Sequence, residues 1–264
     1  MGKLRVNLNG LELKNPIMTA SGTYGYASEY NDFIDVSKIG AVVTKAISLY
    51  PRAGNKHVRI TETKAGMINS IGLENVGIDK FIENKLSELK ENNIDFVMNV
   101  AGSTIDEYVQ VAKKCNENNI KAIELNVSCP NVKSGCLEFG TDENSLYELV
   151  SAVRAVYNGF LIVKLTPNVT SIEKLGIAAE KAGANAISAI NTLKGTSIKF
   201  NLINGKFYKI QCKTSKKTDD IGTSIEFSCR SSHRVNGKCV NEKYTSEDVD
   251  FFATTYQDKC YLIP

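Results

Sequence analysis

Ala122-Ile-Glu-Leu-Asn-Val-Ser-Cys-Pro-Asn-Val-Lys133 is the stretch that decides the fold. An apolar, β-favouring run ends in a dense polar cluster that holds Cys129, with Pro130 directly behind it. A run of this length bounded by a turn signal reads as a buried strand. In parallel α/β proteins the working residues lie just past the carboxyl ends of such strands. Asn126, Cys129, Asn131 and Lys133 therefore fall where chemistry is expected.

Working outward, the same unit recurs. Ile17-Met-Thr-Ala-Ser-Gly22, Ile39-Gly-Ala-Val-Val-Thr-Lys45, Phe96-Val-Met-Asn-Val-Ala-Gly102, Phe160-Leu-Ile-Val-Lys-Leu165 and Ala186-Ile-Ser-Ala-Ile-Asn-Thr192 read as strands. Helices are expected over 28–36, 78–90, 104–118, 144–157 and 170–182. The third of these opens on a capping box, Thr104 with Glu107. Asn9-Gly10, between two alternating runs, marks an N-terminal hairpin. The small and amide residues of Gly66-Met-Ile-Asn-Ser-Ile-Gly-Leu73 read as a binding loop. Strand and helix alternate six times, which means a parallel sheet. Polar residues recur at the strand ends, at Ser21, Lys45, Asn99, Asn126, Lys164 and Asn191. Ends that converge from many strands favour a TIM barrel over an open doubly wound sheet.

The pattern stops near residue 195, about two units short of the eight a full barrel needs. Beyond it, Lys206-Phe-Tyr-Lys-Ile-Gln-Cys-Lys-Thr214 and Ser224-Ile-Glu-Phe-Ser-Cys229 alternate as strands, with turn signals at Asn204-Gly205 and Asn236-Gly237. The expected architecture is α/β: an incomplete barrel of about six βα units over 1–198, then a small β-rich tail over 199–264.

Composition narrows the function classes. The chain has 264 residues, 42% of them hydrophobic, and a net charge of +3, too small to imply a nucleic-acid or membrane partner for the whole chain. No apolar run reaches the ~18–20 residues of a membrane span, and no signal-peptide core or myristoylation signal is present. The seven cysteines follow no disulfide framework, so a cytoplasmic, reducing setting is expected. In the tail Cys212, Cys229, His233, Cys239 and Cys260 contain no Cys-x₂-Cys pair, so no metal site is expected. The basic run Lys213-Thr-Ser-Lys-Lys217 reads as a solvated face.

Eight ordered motifs carry a resemblance. They are Asn15-Pro-Ile-Met-Thr-Ala-Ser-Gly22, Thr44-Lys-Ala46, Asn69-Ser-Ile-Gly-Leu-Glu-Asn75, Asn99-Val-Ala-Gly102, Glu124 to Lys133, Phe139-Gly-Thr-Asp142, Val163-Lys-Leu-Thr-Pro-Asn168 and Ile190-Asn-Thr192. Together, over about 4–198, they resemble class 1 dihydroorotate dehydrogenases, and the Ile-Gly-Leu-x-Asn form with Cys at the base position resembles subclass 1B. The resemblance implies an FMN-dependent barrel that oxidises dihydroorotate to orotate in de novo pyrimidine (UMP) biosynthesis. It implies Cys129 as the general base, with hydride passing to the flavin. It implies substrate contacts from Lys45, Asn69, Ser70, Ile71, Gly72, Leu73, Asn126, Asn131, Asn191 and Thr192, and flavin contacts from Ser21, Lys45, Ala46, Asn99, Asn126, Lys164 and Ile190. An iron–sulfur/FAD electron-transfer subunit is the implied partner, and a homo-oligomer the implied state of the folded chain. The family's last two strands carry the Gly-Gly loops that bind the FMN phosphate, and no Gly-Gly pair follows residue 198.

The residue types suit those roles. A carbonyl-activated C–H needs a positioned base, and a thiolate serves when cations lie close. Amide side chains match the alternating donors and acceptors of a pyrimidine. A lysine beside a flavin stabilises its anionic reduced form.

The tail resembles, more weakly, the C-terminal part of group I intron-associated PD-(D/E)xK endonucleases, through Gly205 to Thr214, Asp248-Val-Asp-Phe-Phe252 and Cys260-Tyr-Leu-Ile-Pro264. Gln211-x-Lys213 matches the Gln variant of the half-motif, while Asn201 stands near the place of the metal-binding aspartate. The competing expectation is thus a chimera: a nucleic-acid-binding or degenerate nuclease tail on a non-functional dehydrogenase fragment.

Overall fold

The computed structural model describes residues 4–56, 59–63, 66–128 and 139–193, and from 199 onward the backbone of eight strands. The chain divides into two compact units, 1–194 and 195–264, taken separately below.

The first unit begins with a hairpin, β1 (Val6–Leu8) and β2 (Leu11–Leu13), closed where Leu8 faces Leu11. Asn9 and Gly10 sit between them at φ 49° and 107°, the left-handed geometry that an Asn-Gly turn supplies. A parallel sheet follows, in the order β3 (Val42–Val43), β6 (Phe96–Val100), β7 (Ala122–Asn126), β8 (Phe160–Leu165) and β9 (Ala186–Ala189). The expected first strand over 17–22 does not form as a regular strand; a single parallel bridge from Met18 to Ala41 lies outside β3 in its place. Strand order therefore equals sequence order. A doubly wound sheet reverses its order at a switch point, and this one does not, so the winding is that of a barrel.

Right-handed crossovers place every connecting helix on one face of such a sheet. The helices are α1 (Ile78–Lys80), continued through a π-helical stretch over Phe81–Lys85 into α2 (Leu86–Glu91), then α3 (Ile105–Glu117), α4 (Glu143–Arg154) and α5 (Ile172–Lys181). Side chains alternate across a strand. Met98, Ile123, Leu125, Leu161 and Val163 face the helices and join Phe81, Leu89, Tyr108, Leu149 and Leu175 in the main core. Each such side chain contributes roughly 1.5–3 kcal/mol on burial. The opposite parity forms a second core: Ala41, Val43, Val97, Ala122, Phe160 and Ile162, capped by Leu11 and Leu13, with Met18 and Ala186 against it. Met18 and Ala186 stand at the two ends of the sheet and still share one cluster, so the sheet curls round the hairpin. The result is an incomplete TIM barrel whose floor is the N-terminal hairpin.

Local signals set the helix starts. Thr104 caps α3 by accepting from the Glu107 N–H at 3.2 Å, while the Glu107 carboxylate accepts from Ser103, one residue before the position a capping box specifies. Asp142 caps α4 by accepting from the Ser145 N–H at 2.8 Å.

Two further expectations are corrected. The helix over 28–36 is absent; single 3₁₀ turns at Ser28–Tyr30 and Val36–Lys38 replace it. Asn31, Asp32 and Asp35 compete for the backbone there, and Phe33 is exposed, so no buried stripe holds a helix together. The first half of the expected loop over 66–73 is a strand: β4 (Ile60–Thr63) pairs antiparallel with β5 (Gly66–Asn69).

The second unit contains a four-stranded sheet, β10 (Lys199–Ile203), β11 (Lys206–Cys212), β16 (Phe251–Tyr256) and β17 (Lys259–Ile263), in that order. Two further pairs are β12 (Lys217–Thr218) with β13 (Ile225–Glu226), and β14 (Arg230–Val235) with β15 (Lys238–Lys243). The pairs Ile203–Lys206 and Val235–Lys238 flank the two Asn-Gly signals, as the sequence led us to expect.

Candidate active site at the carboxyl end of the sheet

On the inner face the side chains change character along each strand. Val97, Ala122, Phe160, Ile162 and Ala186 lie toward the hairpin floor. Above them, at the same parity, stand Asn99 on β6, Glu124 and Asn126 on β7, Lys164 on β8 and Ser188 on β9. Register makes these residues neighbours: Asn99 faces Glu124, Asn126 faces Lys164, and Lys164 faces Ser188. Unpaired polar groups are costly in a closed interior, so such a row implies either mutual bonding or a ligand.

Part of the row bonds internally. Asn99 Nδ2 donates to Glu124 Oε1 at 2.6 Å; both residues are buried, at 0% and 3% exposure. Asn99 Oδ1 is buried and has no partner. The Asn99 backbone N–H donates to Thr44 Oγ1 at 3.2 Å, and the Thr44 carbonyl accepts from Ser21 Oγ at 3.0 Å. Ser21 is thereby tied to the end of β3, beside Lys45 and the buried Ala46. Across the site Asn191 Nδ2 donates to Asn126 Oδ1 at 2.8 Å. The Thr192 N–H donates to Asn191 Oδ1 at 2.8 Å, and Asn168 Nδ2 to the Thr192 carbonyl at 3.0 Å. The buried Tyr108 hydroxyl holds the Asn126 carbonyl at 2.6 Å.

The loop Asn69–Leu73 is held from outside. The Ser70 N–H donates to the Arg59 carbonyl at 2.6 Å, and Asn55 reaches Ser70 and the Ile71 carbonyl at 3.0 Å. Gly72 sits at φ 76°, and a Cβ there would meet Asn55 atoms at 2.7 Å, so only glycine fits. Leu73 follows at φ 55°. Beyond it Asn75, 5% exposed, accepts from Ser48 and Gly77 and donates to the Leu73 carbonyl and Ser48 Oγ. Glu74 stands 3.9 Å from Lys45 and also pairs with Arg59.

The structure thus brings together Asn126, Asn191 and Thr192 by direct bonds, Asn126 and Lys164 by register, and Ser21, Thr44 and Asn99 through β3. Asn69 ends the exposed β5, and Ile190 is 47% exposed at the end of β9. Cys129 and Asn131 lie outside the described residues. The side chain just before them, Ser128 Oγ, is buried without a partner. Cys115 is a different kind of cysteine: it is fully buried among the α3 core side chains, and burial pushes its thiol up, away from thiolate formation.

Thr44, Asn75 and Glu124 lie within the quoted motifs but carry no site role in the sequence reading, and Tyr108 lies outside those motifs. The signal for Glu124 was there: a lone acid two positions before Asn126 in an apolar strand shares its face. Among the described residues no group of three or more His, Cys, Asp or Glu could hold a metal, and no helix is long and apolar enough to cross a membrane. A groove of about 700 Å³ opens at the opposite, amino end of the sheet, lined by residues such as Leu13, Phe96, Lys121 and Phe160. In barrels that end serves stability, not chemistry.

Comparison with known proteins agrees with this geometry. The family profile described as dihydroorotate dehydrogenase matches residues 3–216, and one described as PD-(D/E)XK endonuclease matches 197–264. The catalytic subunit of dihydroorotate dehydrogenase B (NAD(+)) from Bacteroides thetaiotaomicron is 48% identical over 199 residues, 75% of this chain and 66% of the relative. Its counterpart from Geotalea uraniireducens is 50% identical over 201 residues, with the same coverage. The chain therefore spans just under two thirds of the length of these relatives. A crystal structure of DHODH in complex with ferulenol from Eimeria tenella superposes with a TM-score of 0.55 at 20% identity, covering 74% of this chain and 60% of that one. At that identity the likeness speaks for the fold alone. With motifs, winding and inner-face polar row in agreement, this chain belongs to the dihydroorotate dehydrogenase family.

Proposed function

We propose that residues 1–198 form a dihydroorotate dehydrogenase domain of subclass 1B, serving pyrimidine biosynthesis by oxidising dihydroorotate to orotate with FMN. Residues 199–264 form a separate tail domain. The observation that carries the reading is the inner-face row Asn99–Glu124–Asn126–Lys164, with Asn191 bonded to Asn126. The buried, partnerless Asn99 Oδ1 suits a flavin, because it leaves an acceptor ready for a ring N–H. Ser21, Lys45, Ala46, Asn99, Asn126, Lys164 and Ile190 would hold that cofactor, which when bound supplies the hydride acceptor.

The remaining roles belong to this chain's own side chains. Asn69, Ser70, Ile71, Gly72, Leu73, Asn126, Asn131, Asn191 and Thr192 would hold the substrate ring, their amides and backbone matching its donors and acceptors. Lys45, whose Nζ stands 3.9 Å from Glu74, offers a cation to the substrate carboxylate. Cys129, as thiolate, takes the proton from C5. Orienting the ring between base and hydride acceptor lowers the barrier, because it removes the entropy of bringing the groups together.

"Catalytic subunit" in the relatives' names supports a separate electron-transfer partner, which in this reading is an iron–sulfur/FAD subunit. A cytoplasmic location and self-association of the folded chain complete the reading. The match of the first unit to named dehydrogenases favours this function over a nucleic-acid-binding tail on an inert fragment. The test is titration of the full chain with FMN, followed by anaerobic addition of dihydroorotate. We expect flavin uptake and bleaching of its visible band, slowed at least ~100-fold by Cys129→Ser near neutral pH. A chain that takes up no FMN, or holds it without bleaching, overturns the proposal.

A further inference from the structure

We propose that Glu124 is a positioning residue that sets the orientation of the Asn99 amide, so that the site offers a planar ligand a hydrogen-bond acceptor there and no donor. The identity of the ligand rests on the flavin reading above; the orientation does not.

The argument starts from what a carboxylate can do. Ionised, it only accepts hydrogen bonds, whereas an Asn amide carries two donors on one atom and an acceptor on the other. Asn99 and Glu124 are paired across β6 and β7, are both buried, and meet at 2.6 Å. In the structure Nδ2 faces Glu124 and Oδ1 points away from it. The structure leaves Oδ1 buried and without a partner.

Glu124 acts only on the side chain. The Asn99 backbone is held independently: its N–H donates to Thr44 Oγ1 at 3.2 Å and its carbonyl accepts from the Ile47 N–H at 2.8 Å. Removing the carboxylate thus frees the amide to rotate without loosening the strand. A flipped amide would present NH₂ where the acceptor stood. The oxidised flavin ring has a single N–H, at N3, so a site that offers an acceptor selects for that edge, and a site of mixed orientation does not.

The test compares wild-type chain with Glu124→Gln, whose neutral amide accepts or donates and so tolerates both orientations of Asn99. Two readouts are needed. In ¹⁵N-labelled protein the Asn99 side-chain amide should appear as one exchange-protected pair in the wild type, and as a doubled or rapidly exchanging set in Glu124→Gln. In titrations with FMN and with 3-methyl-FMN, the wild type should prefer FMN by about tenfold and Glu124→Gln by less than about twofold. Glu124→Asp, which keeps an acceptor, should restore part of the preference. An unprotected Asn99 amide in the wild type, or a Glu124→Gln chain that keeps both the single amide pair and the FMN preference, overturns the proposal. If the wild type takes up no flavin, the functional reading fails, while the amide spectrum still decides the role of Glu124.

Discussion

Replacing Asn75 by alanine removes the pin behind the binding loop, and the structure gives the size of the effect. Asn75 Oδ1 accepts from the backbone N–H of Ser48 at 3.2 Å and of Gly77 at 2.9 Å, both in buried surroundings. Nδ2 donates to Ser48 Oγ and to the Leu73 carbonyl, each at 2.8 Å. Alanine leaves two backbone donors and one carbonyl without their partner. A buried group stranded in this way costs about 1–3 kcal/mol, and partial access of water lowers the sum, so we expect a loss of about 3 kcal/mol. For a unit of this size that corresponds to a drop of roughly 6–12 °C in Tm. The chain has no tryptophan, so unfolding is best followed by near-UV tyrosine dichroism. Amide exchange at Ser48 and Gly77 gives a site-specific check. Asn75→Asp keeps the acceptors but loses the donor to Leu73, and should fall between. A change under ~0.5 kcal/mol with unaltered exchange at both amides would refute the reasoning, because it would mean that the loop holds its shape without the pin.

Asp142 predicts a pH effect. The Ser145 N–H and hydroxyl hold its carboxyl below the ordinary value of 3.8. A depressed carboxylate contributes stability that is present above the unfolded value and lost as pH falls through the folded one. Stability of α4 should therefore decline below about pH 4, and Asp142→Asn, which still caps, should flatten that decline in acid titrations followed by helical dichroism. At the open end of the sheet, Ile187 is 41% exposed on β9 and Ile177 is 43% exposed on α5. Apolar residues at a sheet edge invite strand addition, so Ile187→Lys should weaken self-association at least ~10-fold in sedimentation velocity; unchanged association would place the contact elsewhere.

Much of the architecture was legible because it rests on local signals. Five of the six apolar runs form the parallel strands that their pattern implies, and Asn9-Gly10, Thr104 and Asp142 each mark a boundary by their own chemistry. The 28–36 stretch misled because Tyr30, Phe33 and Ile34 suggest a helix face, and whether that face is buried depends on distant residues. The β4–β5 hairpin was missed because β5 is exposed throughout, so no burial rhythm marks it. In the site, Asn126, Lys164 and Asn191 declared themselves as polar residues at strand ends. Glu124 did not, because its meaning lies in the register that sets it opposite Asn99.

The hairpin floor and the sequential strand order have a consequence for how the chain is made. Each strand of the sheet lies against the one synthesised just before it, and the hairpin floor that they rest on is synthesised before all of them. Assembly can therefore proceed as a growing front, with no later strand inserted between two earlier ones. A polypeptide whose continuation diverges after β9 still carries a finished floor and five laid strands.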